Sequence, residues 1–410
     1  MNSSVTLKSN PRLSGTASKL PSSKSISNRA LIINALGSNR SAVSNLSSAR
    51  DTRLMQALIA SPDALIDVMD AGTTMRFLTA YFAVTNKKKL LTGTDRMKQR
   101  PIQLLVDALR QLGAEISYRG EEGFPPIETQ GFGSQRTAAL SMPGNVSSQY
   151  ISALMMVAPS LPQGLTIQLT GEVGSVPYIT MTASLMRDFG AQVDLNLEEH
   201  RITVQPGNYL PASITVEADW SAASYWFAFT ALAESAKITL PNVAAKSLQG
   251  DRVIVDVMAQ LGVNSSFKNG SLELTKADFS RHLAWDFKNC PDLAQTVLPV
   301  CAVKGVTGEF VGLESLRIKE TDRIAALQTE LAKVGAALTE PQPGKWNLAP
   351  GNISRLKQPI DTYHDHRMAM GFAPWATLTD LSIESPDVVN KSYPGFWDDV
   401  QAVGISVSID

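Results

Sequence analysis

One local pattern recurs five times along this chain and limits its fold more than any other feature. A helical run ends at a Gly placed where a C-cap belongs, and alternating apolar residues follow. The copies are "ALRQLGAEISY" at Gly113, "LMRDFGAQVDL" at Gly190, "VMAQLGVNSSF" at Gly262, "LAKVGAALTE" at Gly335 and "DVQAVGISVSI" at Gly404. Their glycines lie roughly 70 residues apart, and a second strand follows most of them, as "LELTK" does after the Asn269-Gly270 turn. Each period holds two helices and several strands. That content predicts a βαβαββ module with helices on one side of a mixed sheet.

Five copies imply a sixth, and its place is the stretch from Arg50 to Arg76. A helix begins at Asp51, but no Gly and hairpin follow before Asp70, so this unit is short by about 20 residues. Three units per domain place residues 23–218 in one domain and residues 1–22 with 219–410 in the other. The first strand, "SVTLKS", has no unit of its own and is assigned to the C-terminal half. The chain then crosses between domains near Pro21 to Ser23 and near Ala218 to Asp219, which sets Lys24 at a crossover facing the cleft. The fold class is α/β (α+β). A length of 410 residues also exceeds what one core usually supports.

The motifs between these repeats gather cations at helix starts. "PSSKSISNRALIINAL" sets Lys24 and Arg29 among serines ahead of an apolar run, where unpaired N–H groups emerge. "DAGTTMR" offers a bare backbone at Gly72, with Asp70 able to cap the helix that follows. Arg100 precedes Pro101 at a further helix start, and "GNVSSQYISALMM" presents Ser147, Ser148 and Gln149 at another. In the second half Asp292 opens an apolar helix, either as a cap or as a functional carboxylate. "RIKETDRIAAL" packs Lys319, Glu320, Asp322 and Arg323 together, "YHDHRMAMGFA" carries Arg367, and "NKSYPGFW" carries Lys391.

The chain has 37 basic and 38 acidic residues, a net charge of −1, so nothing attracts nucleic acid or an anionic membrane in general. The anion site is therefore local. Lys24, Arg29, Arg100, Lys319, Arg323, Arg367 and Lys391, interleaved with acids, describe a cleft for a small polyanion with carboxylates left for proton transfer. An enzyme fits this better than a binding module, which has less use for Asp292 and Glu320. The only cysteines, Cys290 and Cys301, have neither metal nor redox spacing and are expected to be reduced and buried. A metal reading of His364 and His366 is weak, because His200 and His282 stand in unrelated contexts. No apolar stretch spans a membrane and no signal-peptide core is present, so a cytoplasmic protein is expected.

Through "KSISNRA", "DAGTTMR", "RMKQRPI", "SSQYISALMM", "SVPYI", "PDLAQT", "KETDRI", "DHRMAM" and "NKSYP", nearly end to end, the chain resembles the EPSP synthases (3-phosphoshikimate 1-carboxyvinyltransferases) of the enolpyruvyl transferase family. The resemblance implies a two-domain inside-out α/β barrel, three βαβαββ units per domain, with the active site between the domains. It implies condensation of shikimate 3-phosphate with phosphoenolpyruvate, release of phosphate, no metal or organic cofactor, and a monomer. Lys24, Ser25, Arg29, Ser147, Ser148, Gln149, Ser175, Tyr178, Asp292, Ser315 and Lys319 would hold shikimate 3-phosphate. Lys24, Gly72, Arg100, Gln149, Arg323, Arg367 and Lys391 would hold phosphoenolpyruvate. Asp292 would take the hydroxyl proton, Glu320 would serve the methylene, and Lys24 would neutralise the leaving phosphate.

Three positions depart from the family pattern. Asp70 stands where Asn is usual, Phe77 where Pro is usual, and Ser315 where an Asn would meet the shikimate phosphate. The sister enzyme that uses a UDP-sugar has an Asn after the first-motif Lys and a reactive loop Cys. Here Ser25 follows Lys24, and neither Cys lies in such a loop.

Overall fold

The five repeated glycines all take positive φ, from 76° at Gly335 to 118° at Gly113, the region an L side chain rarely enters. At Gly113, the C-cap of helix Gln103–Leu112, an added Cβ would lie 2.2 Å from the Ser134 carbonyl oxygen. The pattern is therefore fixed by backbone geometry as well as by composition. The structure, a computed structural model, describes residues 3–410. It is a mixed α/β fold of two compact units. One holds Lys24–Ser47 and Asp51–Val216; the other holds the chain up to Ser23, Ser48–Arg50 and Glu217–Asp410. Each has its own hydrophobic core.

In the unit that begins at Lys24, two four-stranded sheets share one order. Leu65–Asp67 pairs in parallel with Lys89–Thr92, which pairs antiparallel with Ile127–Phe132, and Ala114–Tyr118 closes the edge. Ala139–Pro143, Leu165–Thr170, Arg201–Val204 and Val193–Asn196 repeat that order. The third sheet has only Ser213–Thr215 and Ala42–Ser44, in parallel; helix Arg50–Ala60 leads straight into the strand Leu65–Asp67 of the next sheet.

In the other unit, Arg12–Thr16 runs parallel to Ser235–Pro241, which continues into the hairpin of Ser271–Lys276 and Val263–Lys268. His282–Asp286, Thr307–Val311, Lys345–Ala349 and Ala337–Gln342 form the second sheet. The N-terminal strand Ser4–Lys8 lies between Leu381–Glu384 and Ser406–Ile409. Just before the chain crosses into the first-described unit, Ser22 bridges Ala218.

A parallel pair needs a crossover, and here each crossover contains a helix. Several of these helices are buried almost all round, which marks them as core elements rather than surface ones. Gly72–Val84 buries all but two of its residues, and Trp220–Leu232 all but Ser221. A helix sheathed on every side can offer a ligand only its ends. Most of the motif residues lie at or near such helix N-terminal ends.

Candidate active site

In the unit that begins at Lys24, four helix starts carry the motifs. Lys24 is the first residue of Lys24–Leu36, and its Nζ lies 3.3 Å from Asp51 Oδ2. Arg29, one turn on, is 2% exposed. Its Nε donates to Thr182 Oγ1 at 2.7 Å, Nη1 to the Ser25 carbonyl at 2.9 Å and Nη2 to Ser152 Oγ at 3.0 Å. The rings of Phe77 and Tyr178 lie 5.3 and 5.8 Å from its Cζ. All these partners are neutral, so burial pulls Arg29 down to about 10, with Tyr178 opposing only in part. A buried cation held by neutral oxygens and ring faces keeps its field for an incoming anion. Phe77, one of the departures from the family pattern, is thus in direct contact with a predicted ligand residue.

Arg100 is another buried cation of this unit, and its Nε is enclosed with no partner. It lies in the turn between helices Asp95–Lys98 and Gln103–Leu112, three residues before the second helix rather than at its start. Its guanidinium rests on Gly72, where an added Cβ would be 2.7 Å from both Nη atoms. The expectation that Asp70 caps the following helix fails. Gly72–Val84 takes Ala71 as N-cap, with no side-chain bond. Ala71 N–H instead bonds the Val68 carbonyl, which starts the helix one residue too late for Asp70 to reach the cap position.

Arg76, quoted in the motif but given no role, ties this region together. It donates to the Gly72 carbonyl at 3.3 Å and the Pro101 carbonyl at 2.8 Å, fixing both segments that meet at Arg100. Gln149 Nε2 donates to Thr73 Oγ1 at 3.1 Å, joining helix Ser148–Val157 to Gly72–Val84. Ser147 caps its helix, accepting from Gln149 N, and Ser148 follows as the first helical residue. Ser175 sits in the left-handed region at the N-cap of Val176–Asp188 without using its hydroxyl there. Gly174 N bonds the Gly144 carbonyl at 3.0 Å, so the Ser147 and Ser175 loops are adjacent.

The other unit holds a dense ionic cluster. Arg323 opens helix Arg323–Ala332 and spreads over three carboxylates: Asp365 Oδ2 at 2.7 Å, Asp292 Oδ1 at 3.0 Å and Glu320 Oε2 at 3.0 Å. Arg367 Nη2 donates to Asp292 Oδ2 at 2.8 Å, so Asp292 bridges two guanidinium groups. Lys391 Nζ lies 3.8 Å from Glu320 Oε1. Burial disfavours the Asp292 charge, yet Arg367, Lys319 and Arg323 outweigh it and hold its carboxyl well below the usual carboxylate range. Burial likewise opposes the charge of Arg323, and Asp365, Glu320 and Asp292 overcome it, so Arg323 is held above its ordinary value.

Capping at these helix starts falls to other acids. Asp322 accepts from Ile324 N and Ala325 N, and Asp365 from Arg367 N. Asp292 is not a cap: it lies inside the 3-10 turn Pro291–Leu293, whose N-cap is Cys290, and its oxygens are taken by the arginines. Asp365 is fully buried against Arg323, and its signal in the sequence is the Asp directly before the His-Arg pair. Ser315 is exposed on the 3-10 turn Glu314–Ile318 and makes no hydrogen bond to the cluster. Cys290 and Cys301 are free and buried, and burial above all raises both thiols to about 12. Among the described residues no His, Cys, Asp and Glu group is arranged to hold a metal, and no helix is long and apolar enough to cross a membrane.

The fold and these clusters define a two-unit α/β protein with buried arginines in each unit, those of one unit paired with carboxylates. Comparison with known proteins gives the family. The family model for EPSP synthase (3-phosphoshikimate 1-carboxyvinyltransferase) matches residues 7–61 and 56–400. A 3-phosphoshikimate 1-carboxyvinyltransferase of Bacteroides fragilis is 46% identical over 397 residues, 95% of this chain and 96% of its own. One of Pasteurella multocida is 34% identical, covering 93% of each chain. The solved EPSP synthase of Acinetobacter baumannii shares the fold at a TM-score of 0.77 with 19% identity, each chain covered fully. The chain belongs to the EPSP synthase family.

Proposed function

We propose that this chain transfers the enolpyruvyl group of phosphoenolpyruvate to the 5-hydroxyl of shikimate 3-phosphate and releases phosphate, a step of the shikimate pathway toward chorismate. The observation that carries the reading is the double bridge at Asp292. Two guanidinium forks converge on one carboxylate there, the geometry that would grip the carboxylate and phosphate of phosphoenolpyruvate. Arg29 and Arg100, without carboxylate partners among the described residues, supply the charge that the ring phosphate and the donor need. One pair of substrates draws on both units, so the reading requires the two clusters to meet around them. It takes each domain, 23–218 and 1–22 with 219–410, as an inside-out barrel of three βαβαββ units with the first shortened. It also takes the protein as a cytoplasmic monomer that needs no cofactor.

The ring hydroxyl oxygen adds to C2 of phosphoenolpyruvate while a proton reaches C3, giving a tetrahedral intermediate. The bond from C2 to the phosphate oxygen then breaks, and a proton leaves the methyl group. Asp292 takes the hydroxyl proton. Paired with two arginines it is a weak base, but a substrate carboxylate that draws those arginines away raises its basicity, and burial raises it further. Glu320 gives and removes the methylene proton, and Lys24 neutralises the departing phosphate. Phosphate release from phosphoenolpyruvate tests the reading. Release is expected with shikimate 3-phosphate and not with UDP-N-acetylglucosamine; the reverse preference would sink it.

The Gly72 geometry gives a second expected result. An added methyl meets the far end of a flexible side chain, Arg100, rather than backbone, so Gly72→Ala should fold and displace the guanidinium. Glyphosate, a longer anion than phosphoenolpyruvate, should lose more than the substrate, by about 1 to 2 kcal/mol. The ratio of the inhibition constant to the KM for phosphoenolpyruvate should therefore rise, and an unchanged ratio would remove Arg100 and Gly72 from the shared site.

A further inference from the structure

Asp251 lies in the 3-10 turn Gly250–Val253, 4% exposed, and no step above uses it. Its Oδ2 accepts the Ser221 hydroxyl, while Oδ1 is buried with no partner. Ser221 Oγ in turn accepts from Arg367 Nη2 at 3.4 Å, the same nitrogen that donates to Asp292. Tyr225, one turn along Trp220–Leu232 from Ser221, accepts from Arg367 Nη1 at 3.3 Å. One helix face thus aims Arg367, and Asp251 aims the serine on that face. An amide would hold the Ser221 hydroxyl equally well. What a carboxyl adds is a charge that can be present or absent, and a buried oxygen without a partner favours its absence.

We infer that Asp251 is a positioning residue for phosphoenolpyruvate capture: through Ser221 it orients Arg367, and its ionisation sets how much of the Arg367 charge is left for the substrate. Burial raises its carboxyl, the Asp292 charge adds to this, Arg367 and the Ser221 bond oppose, and Asp219 adds a little, leaving it at about 7. Cys290, which feels the Asp251 charge, and Tyr225, beside Arg367, both stay neutral in this range. Above pH 7 the ionised Asp251 adds negative charge beside Arg367, which competes with an incoming anion. Below pH 7 this added charge is absent.

The inference rests on Arg367 as a phosphoenolpyruvate ligand, which Arg367→Ala tests separately. The decisive measurement is kcat/KM for phosphoenolpyruvate in wild type and Asp251→Asn from pH 6 to 9. The ratio of variant to wild type should be near one at pH 6 and rise roughly threefold to tenfold by pH 8.5, because the amide never charges. Substrate ionisation cancels in this ratio. Ser221→Ala should raise the KM for phosphoenolpyruvate about fivefold while the KM for shikimate 3-phosphate stays within twofold, since only Arg367 loses its guide. A ratio independent of pH, or an equal rise in both KM values, overturns the role of Asp251. An unchanged KM in Arg367→Ala overturns both readings. Should Ser221→Ala fail to fold, the isosteric Asn variant decides by its pH ratio alone.

Discussion

Lys24→Ala is expected to cut turnover at least a hundredfold, measured as phosphate release with both substrates saturating. A preorganised cation that meets charge developing on a leaving group contributes about 3 kcal/mol or more, which is that factor. The structure adds a complication, because Lys24 is also the cation 3.3 Å from the buried Asp51 carboxylate. Removing the lysine leaves that carboxylate short of a partner, and a buried pair broken on one side loses up to about 3 kcal/mol of stability. Two effects are therefore expected from one substitution, and they separate. Lys24→Ala with Asp51→Asn should regain most of the lost stability in thermal melts and none of the lost turnover. Recovery of turnover in the double variant would mean that Lys24 serves the fold rather than the phosphate.

Asp292→Asn should be comparably severe, with turnover down by roughly a hundredfold to ten-thousandfold, since it removes a general base and leaves its geometry in place. Its stability signature has a definite sign. The folded carboxyl is depressed, so its contribution is complete above the ordinary carboxylate range near pH 4 and is lost as pH falls through the lower folded value. The stability gap between wild type and variant should therefore be about 2 kcal/mol near pH 5 and close below about pH 4. A gap that opened only above neutrality would contradict the pairing with Arg323 and Arg367. Because the Asp292 charge helps to raise Asp251, the Asp251 titration should move to lower pH in stability profiles of Asp292→Asn.

Much of the candidate site was legible because its residues announce helix starts. A Ser, Asp or Asn ahead of an apolar run satisfies orphan N–H groups within four residues, so Ser147, Asp322 and Asp365 could be placed near helix ends from local chemistry alone. The same locality made Asp70 misleading. It has the right residue type, but the turn at Val68 to Ala71 starts the helix one residue after it. Arg76 was hidden for the opposite reason: its partners include two backbone carbonyls, and carbonyls carry no sequence signal. Phe77 reads as core and is core, yet its ring face is also a partner of Arg29, which only packing could show.

By itself the sequence determined where helices stop and strands turn, since a left-handed residue at the C-cap or within two residues past it demands Gly at Gly113, Gly190, Gly262, Gly335 and Gly404, and where cations crowd helix starts. Only the tertiary structure decided which acid neutralises which base. Asp292 meets Arg323 across 31 residues and Arg367 across 75, whereas Arg29 and Arg100 are buried with no carboxylate partner among the described residues. Caps and turns are settled by bonds within a few residues. Pairing between distant charges is chosen by which side chains packing brings within about 3 Å, and by the cost of stripping each of water there, and neither quantity exists until the cores have formed.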